Sequence, residues 1–261
     1  MIGETQGSVW IGTSNIVLAG NKSTFPLEFR DKSRLNYYST LFNSIELNNT
    51  FHKVPVSSTF EKWSRDVTDD FRFTIKLWKG ITHIKDLKFN EEDIHVFLKN
   101  AQIPLEKKGC LLVQFPGKIT TQYFNEVERI LHVISSSEFA YGWQKAIEFR
   151  DSSWHIGETA ELLNEFNASM VLHDFPKGKN DELNKKMKTV YLRFHGPKGD
   201  YRGSYSYEFL NEKAEQIKEW GNSGKLVYAY FNNTAGHGDA YQNAHTLKKL
   251  LDFRPMNKKS G

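Results

Sequence analysis

Short apolar runs, each closed by a polar or charged cluster, recur along the whole chain with helical spacing between them. The runs end at Gly12-Thr13-Ser14, Glu46-Leu47-Asn48, Lys76, Gln114, Glu148-Phe149-Arg150, Asp174, Arg193-Phe194-His195 and Asn232-Asn233. A parallel α/β barrel assembles its active site from the C-terminal ends of its strands, so it is the architecture that places polar residues this way. The pattern makes an enzyme the leading expectation and leaves its substrate open.

Eight segments read as strands: Ser8–Thr13, Ser44–Asn48, Arg72–Leu77, Cys110–Phe115, Ala146–Arg150, Ser169–His173, Thr189–His195 and Leu226–Asn232. Several are nearly continuous apolar runs, as expected of strands covered on both faces. Apolar stripes at helical spacing lie between them. Phe124, Val127, Ile130, Leu131 and Ile134 form the clearest, and Ala240, Ala244, Leu247, Leu250 and Leu251 the last. This strand–helix alternation predicts a single (β/α)8 TIM-like barrel of parallel strands over residues 8–254. One unit is degenerate: residues 175–188 have little room for a helix. Residues 1–7 and 255–261 carry little apolar content and read as loose ends.

The length of 261 residues suits one such barrel, and 39% apolar residues suffice for its core. A net charge of +4 favours anionic partners only weakly, and Lys and Arg are interspersed with Asp and Glu. The single cysteine, Cys110, excludes an intramolecular disulfide and reads as a core residue. With no secretory or membrane-spanning run in the sequence, a cytoplasmic protein with no membrane partner is expected.

The strand ends supply the candidate chemistry. Glu46 and Glu148 are expected to act as acid and base if their environments separate their pKa values, and Asp174 ends a third strand. The alternative is structural pairing with Lys76, Arg150 or Arg193. These cations either neutralise the carboxylates or grip an anionic substrate. His195, two residues after Arg193, lies on the same face and is a candidate proton carrier. Glu46, Glu148, Asp174 and His195 together offer mixed ligands to a divalent metal. No ligand-type spacing supports one and cations surround them, so neither metal nor cofactor is expected.

Two glycine-rich loops, at residues 195–203 and 233–239, resemble phosphate-binding corners, with Gly196 as a backbone donor and Lys198 and Arg202 adding charge. Asp239 is alternatively a cap for the last helix. Trp154 is expected to wall the pocket. Asn48, His83, Gln114, Asp174, Tyr205, Asn232 and Asn233 complete the expected substrate contacts.

These residues fall in an ordered set of motifs. Ile11-Gly12-Thr13-Ser14, Ile45-Glu46-Leu47-Asn48-Asn49-Thr50-Phe51, Phe71-Arg72-Phe73-Thr74-Ile75-Lys76 and Ile81-Thr82-His83 come first. Val113-Gln114-Phe115-Pro116, Glu148-Phe149-Arg150 with Ser153-Trp154, Tyr191-Leu192-Arg193-Phe194-His195-Gly196, Tyr205-Ser206 and Tyr228-Ala229-Tyr230-Phe231-Asn232-Asn233 follow. From about Trp10 to Phe253 the chain resembles the YecE-like family, domain-of-unknown-function family seventy-two. The resemblance implies a TIM-barrel-like fold and no established reaction. It also implies architectural similarity to endonuclease-IV-like barrels, an analogy of fold alone. Family members often read Gly-Thr-Ser-Gly-Trp after the first strand. Asn15-Ile16-Val17 follows Ser14 here, which implies a differently shaped loop.

The leading expectation is thus an enzyme for a small anionic or phosphorylated substrate. Glu46, Lys76, Glu148 and His195 would be its catalytic groups. The alternatives are a nucleic-acid binding or processing protein and a non-catalytic metabolite sensor. The oligomeric state is left open.

Overall fold

The computed structural model describes residues 7–54, 56–235 and 239–252. The expected loose ends, apart from Gly7, and the Gly236-His237-Gly238 part of the last loop lie outside the described residues. Gly7 itself is anchored, its N–H donating to the Gly221 carbonyl at 2.8 Å.

The strands are β1 (Val9–Thr13), β2 (Ser44–Leu47), β3 (Arg72–Lys76), β4 (Lys108–Phe115), β5 (Gln144–Phe149), β6 (Ala168–Met170), β7 (Leu172–His173), β8 (Thr189–Phe194) and β9 (Leu226–Phe231). The helices are α1 (Arg34–Leu41), α2 (Asn49–His52), α3 (Ser57–Arg65), α4 (Lys79–Thr82), α5 (Glu91–Asn100), α6 (Phe124–Ser136), α7 (Gly157–Glu165), α8 (Tyr207–Asn222) and α9 (Asp239–Asp252). Ser33, Asn90 and Ser206 start α1, α5 and α8, their side-chain oxygens accepting from a backbone N–H of the first turn.

The strands form two parallel sheets, ordered β2-β3-β4-β5-β6 and β1-β9-β8-β7. The sequence predicts one eight-stranded sheet, so the strand positions hold but the ladder is interrupted at two places. The expected sixth strand, Ser169–His173, is split: β6 pairs with β5, and β7 pairs with β8. Val171 marks the handover, its N–H still donating to the Ile147 carbonyl at 2.8 Å. The Ser169 hydroxyl crosses the gap to the Thr189 carbonyl at 2.7 Å.

The second interruption lies between β1 and β2, which share only the Ser14–Glu46 bridge. Side chains fill it. The Asn43 amide accepts from Ile11 N at 2.8 Å and donates to Val9 O at 2.9 Å, standing in for a neighbouring strand. The Tyr38 hydroxyl accepts from Thr13 N at 2.7 Å and donates to Ser44 O at 3.1 Å. Such substitution leaves few buried backbone groups unpaired. Gly12 permits the close approach, because a Cβ there would overlap the Ser44 carbonyl oxygen, a backbone atom. Gly12→Ala is therefore expected to lower the stability by about 3 kcal/mol, at the upper end of overpacking costs, as read from the urea midpoint. A midpoint unchanged within error would mean that the seam has slack.

Alternate residues of each strand face two different cores. Leu47, Ile75, Phe115 and Phe149 belong to an outer layer that includes Val127, Ile130, Leu131 and Ile134 of α6. Each such buried aliphatic side chain contributes about 2 kcal/mol. Cys110, Leu112, Ala146, Val171, Tyr191, Tyr228 and Tyr230 form a separate inner cluster. The Tyr230 hydroxyl, on β9, meets Ser44 Oγ at 2.6 Å and Thr74 Oγ1 at 2.7 Å, so the two sheets touch through their inner faces. No helix occupies the β7-to-β8 crossover, as the sequence predicts. The Asn180 backbone turns back to pair with His173 instead.

Candidate functional site

Above the inner tyrosines, the inward residues at the strand ends form one charged network. Arg193 of β8 is fully buried between two carboxylates of the other sheet. Its Nη2 and Nε donate to Glu46 Oε1 and Oε2 at 2.7 and 2.9 Å, and its Nη1 donates to Glu148 Oε2 at 2.6 Å. Ser14 Oγ and Tyr191 Oη also donate to Glu46, each at 2.6 Å. Arg150 Nε donates to Glu148 Oε1. Burial alone would raise both carboxyl pKa values, but Arg193 overrides it and holds Glu46 below and Glu148 well below the usual carboxylate range. Burial likewise opposes the Arg193 charge, and the two carboxylates outweigh it. Every carboxylate oxygen of Glu46 and Glu148 is occupied. The pair expected to serve as acid and base is held ionised, and the two environments shift both pKa values the same way.

A second chain of contacts leads outward. Arg150 Nη2 donates to His195 Nε2 at 3.1 Å, and His195 Nδ1 donates to Asp174 Oδ1 at 3.1 Å. A guanidinium only donates and a carboxylate only accepts, so these partners assign the neutral Nδ1–H tautomer. Burial agrees, pushing the His195 pKa down to about 4 against the pull of Asp174. Asp174 also accepts from His195 N at 2.8 Å and from the Tyr205 hydroxyl. Both ring nitrogens of His195 are thus engaged, and the ring orients Arg150.

Lys76 ends β3 and differs from its neighbours. It is 8% exposed, yet among the described residues no carboxylate lies within 4.0 Å of its ammonium. Its Nζ sits 4.0 Å from the centre of the Phe51 ring. Burial, then the Arg193 charge, lowers its pKa to about 8. His83 packs edge-on against the same Phe51 ring at 4.8 Å, its Nδ1 2.8 Å from Thr82 Oγ1. Burial and then Lys76 hold its pKa near 4, so it is neutral at pH 7.

A cleft of about 430 Å³ opens at the ends of β4 and β5, lined by Gln114, Pro116, Gly117, Lys118, Arg150, Phe175, Lys177 and Tyr201. The Arg150 guanidinium lies 4.0 Å over the Phe175 ring. A second cleft of about 430 Å³ is lined by Asn15, Ile16, Leu35, Leu47, Asn48, Asn49, His52 and Trp63. Asn15 keeps a left-handed φ of 61°, and its side chain accepts from Asn48 N at 3.1 Å.

Several expected contacts are placed elsewhere. Trp154 is fully buried in the outer layer, stacked on Phe149 at 4.2 Å, with its Nε1 donating to Ile119 O at 2.8 Å. It follows the outward-facing Phe149, one residue out of phase with the inward Glu148. Gly196 N donates to the Tyr205 hydroxyl at 2.6 Å, so it is not free for a phosphate. Its φ of 98° closes a turn in which a Cβ would overlap Arg202 O. Tyr205 is in turn committed to Asp174. Asn233 is fully buried, its Nδ2 donating to Gly203 O at 2.8 Å and Asn243 Oδ1 at 2.9 Å. Asn232 is buried at the end of β9. Lys198 and Arg202 are exposed and do not line the cationic cleft. Asp239 carries loop contacts, accepting from Ser204 Oγ at 2.7 Å and Gly203 N at 3.2 Å.

Among the described residues, no group of three or more His, Cys, Asp or Glu side chains is arranged to hold a metal ion. None of the described helices is long and apolar enough to cross a membrane.

Residues 10–260 match the family described as "Protein of unknown function DUF72". The chain belongs to the DUF72 family. Its relatives include the UPF0759 protein YunF of Bacillus subtilis, 24% identical over 88% of this chain and 91% of that protein. The UPF0759 protein YecE of Escherichia coli is 28% identical over 50% of this chain and 46% of its own length. The crystal structure of a DUF72 family protein from Enterococcus faecalis superposes with a TM-score of 0.79 at 21% identity, covering 95% of this chain and 97% of that one. One from Thermotoga maritima gives 0.73 at 26% identity, covering 94% and 99%.

Within this DUF72 chain, sequence reasoning missed several site residues. Tyr191 precedes Arg193 by two, so strand periodicity places it on the same inner face. Ser14 stands at the first polar strand end. Lys118, Phe175, Lys177 and Tyr201 sit in irregular loops, where no periodicity signals which way a side chain faces.

Proposed function

We propose that this DUF72 protein is an enzyme acting on a small anionic or phosphorylated substrate bound in the cleft at the ends of β4 and β5. One observation carries the reading: the cleft is lined by Lys118, Arg150 and Lys177, with no carboxylate among its described lining residues. Arg150 is pre-positioned. Glu148 and His195 fix two of its nitrogens and Phe175 supports its face, while Nη1 has no protein partner among the described residues. A guanidinium so held loses little freedom on binding and matches phosphate oxygens in its plane. Fixed cations also stabilise negative charge that grows in a transition state.

In this reading Glu46 and Glu148 are positioning residues that hold Arg193 and Arg150. His195 holds Arg150 from the other side. Lys76 keeps its ammonium uncommitted to any carboxylate among the described residues and so available for chemistry. The two sheets are read as the walls of one (β/α)8-type barrel, joined through the Arg193 ion pairs and the Tyr230 hydroxyl. A cytoplasmic location fits the lone buried Cys110.

The test is thermal melting in inorganic phosphate, pyrophosphate and small phosphorylated metabolites, since a ligand of the native state raises the melting point. A saturable rise is expected, and Lys118→Glu/Lys177→Glu should weaken the apparent affinity at least tenfold. No rise with any anion, or an equal rise in the double variant, would remove the cleft from consideration. Saturable binding with every metabolite recovered chemically unchanged would make the protein a sensor.

A further inference from the structure

We propose that Lys76 is a covalent nucleophile, forming an imine with the carbonyl carbon of a phosphorylated aldehyde or ketone whose phosphate occupies the cationic cleft. The inference rests on reading that cleft as an anion site, and it narrows the substrate class to carbonyl compounds.

The placement comes first. Lys76 pairs in register with Leu112 of β4, and Gln114, two residues further on the same face, lines the cleft. Lys76 does not itself line the cleft, but it ends the adjacent strand, and Arg150 of the cleft lining is among the charges that act on its ammonium. The Phe51 ring covers it at 4.0 Å. The charged groups around it are Arg193, Arg150, Glu46 and Glu148, with the neutral ring of His83 beside them. The two carboxylates are consumed by the two guanidiniums, two charges against two, so the Lys76 ammonium is the surplus cation of the inner cluster. A lysine that is shielded, unpaired and set against other cations favours its neutral amine, the form that attacks carbonyls. With its pKa near 8, roughly a tenth is neutral at pH 7.

The chemistry balances without any further reactant. The Nζ lone pair bonds to the carbonyl carbon, and one N–H proton passes to the carbonyl oxygen, giving a carbinolamine. His83, which shares the Phe51 ring with Lys76 and whose Nε2 has no partner among the described residues, is assigned as the relay. The C–O bond then breaks. The oxygen leaves as water, taking the second amine hydrogen, and the C=N bond remains. Shielding by Phe51 favours that loss of water.

The protein is incubated with dihydroxyacetone phosphate and sodium cyanoborohydride at pH 7.5, then digested and mapped by mass spectrometry. The expected result is a reduced adduct on Lys76 at a yield at least tenfold above any other lysine. Excess inorganic phosphate should slow its formation at least tenfold. Lys76→Arg should give no such adduct and keep its melting response to inorganic phosphate. Labelling spread over surface lysines, or centred on Lys118 or Lys177, would overturn the assignment. So would the lack of an adduct in a protein that inorganic phosphate still stabilises, and there the anion cleft would survive. Loss of both signals would overturn the anion cleft and the imine together.

Discussion

Arg193→Ala is expected to cost the protein about 3–5 kcal/mol, the usual penalty for breaking a buried ion pair from one side. The loss arises mainly from what is left behind. Glu46, 0% exposed, would keep its charge with only Ser14 and Tyr191 donating to it, and Glu148 would depend on Arg150 alone. Domains of ordinary stability have about 5–15 kcal/mol in total, so the variant should melt far below the parent or fail to accumulate in soluble form. The companion Arg193→Met/Glu46→Gln separates charge from packing. It removes one cation and one anion together, and the amide can still pair with Ser14 and Tyr191. The double variant should recover about 2 kcal/mol relative to Arg193→Met alone, a coupling typical of residues in one network. Urea unfolding of the set reads this directly. If Arg193→Ala shifts the unfolding free energy by less than 1 kcal/mol, the inner ion pairs do not hold the two sheets together.

Lys76→Met should act in the opposite direction and raise stability. The native state keeps an ammonium out of water without a carboxylate partner, and methionine fills a similar volume at no such cost. Depression of the pKa from 10.5 to about 8 corresponds to a penalty on the order of 3 kcal/mol for the charged form. Loss of the contact with Phe51 offsets part of it, so a gain of about 1–3 kcal/mol at pH 7 is expected. The pH dependence fixes the cause. Below pH 8 lysine is protonated in both folded and unfolded chains, and the penalty is complete. Between pH 8 and 10.5 the folded lysine has lost its proton while the unfolded one retains it, so the penalty fades as pH rises. The advantage of Lys76→Met should therefore be largest at pH 7 and nearly gone at pH 10.5, when the two proteins are compared at each pH. A variant less stable than the parent at pH 7 would contradict this account. Groups that lower stability in this way persist where function requires them.

Where periodicity operates, the sequence was a good guide, and it failed where geometry depends on residues far apart in the chain. The ends of β1 to β5, β8 and β9 are visible to within one residue because apolar runs close on polar residues, whereas β4 and β5 each start two residues before the expected position, at Lys108 and Gln144. The split at Val171 is not visible, because Ser169–His173 is locally a continuous strand and only its distant partners Ile147 and Thr189 reveal the handover. The inner network was visible as a set of strand-end charges. Its pairing was not, since nothing local states that Arg193 sits between Glu46 and Glu148 and leaves Lys76 unmatched. Trp154 was misplaced by one step of phase: it lies just past a strand end, yet packs on Phe149, which points outward. Gly196 and Asn233 look like ligand contacts in the sequence, because loop residues carry no mark separating those that bind a substrate from those that bind neighbouring loops.

The junction between β1 and β2 has a consequence for the protein's behaviour in solution. A strand whose hydrogen-bonding edge is vacant invites another chain to add to it, which is how many β-rich proteins begin to polymerise. Here Asn43 and Tyr38 cap Val9, Ile11 and Thr13 from within the molecule, so the edge of β1 offers few free groups to a stranger. Two polar side chains thus close the seam from within, and cutting them back to alanine would leave the backbone groups of Val9, Ile11 and Thr13 without these partners.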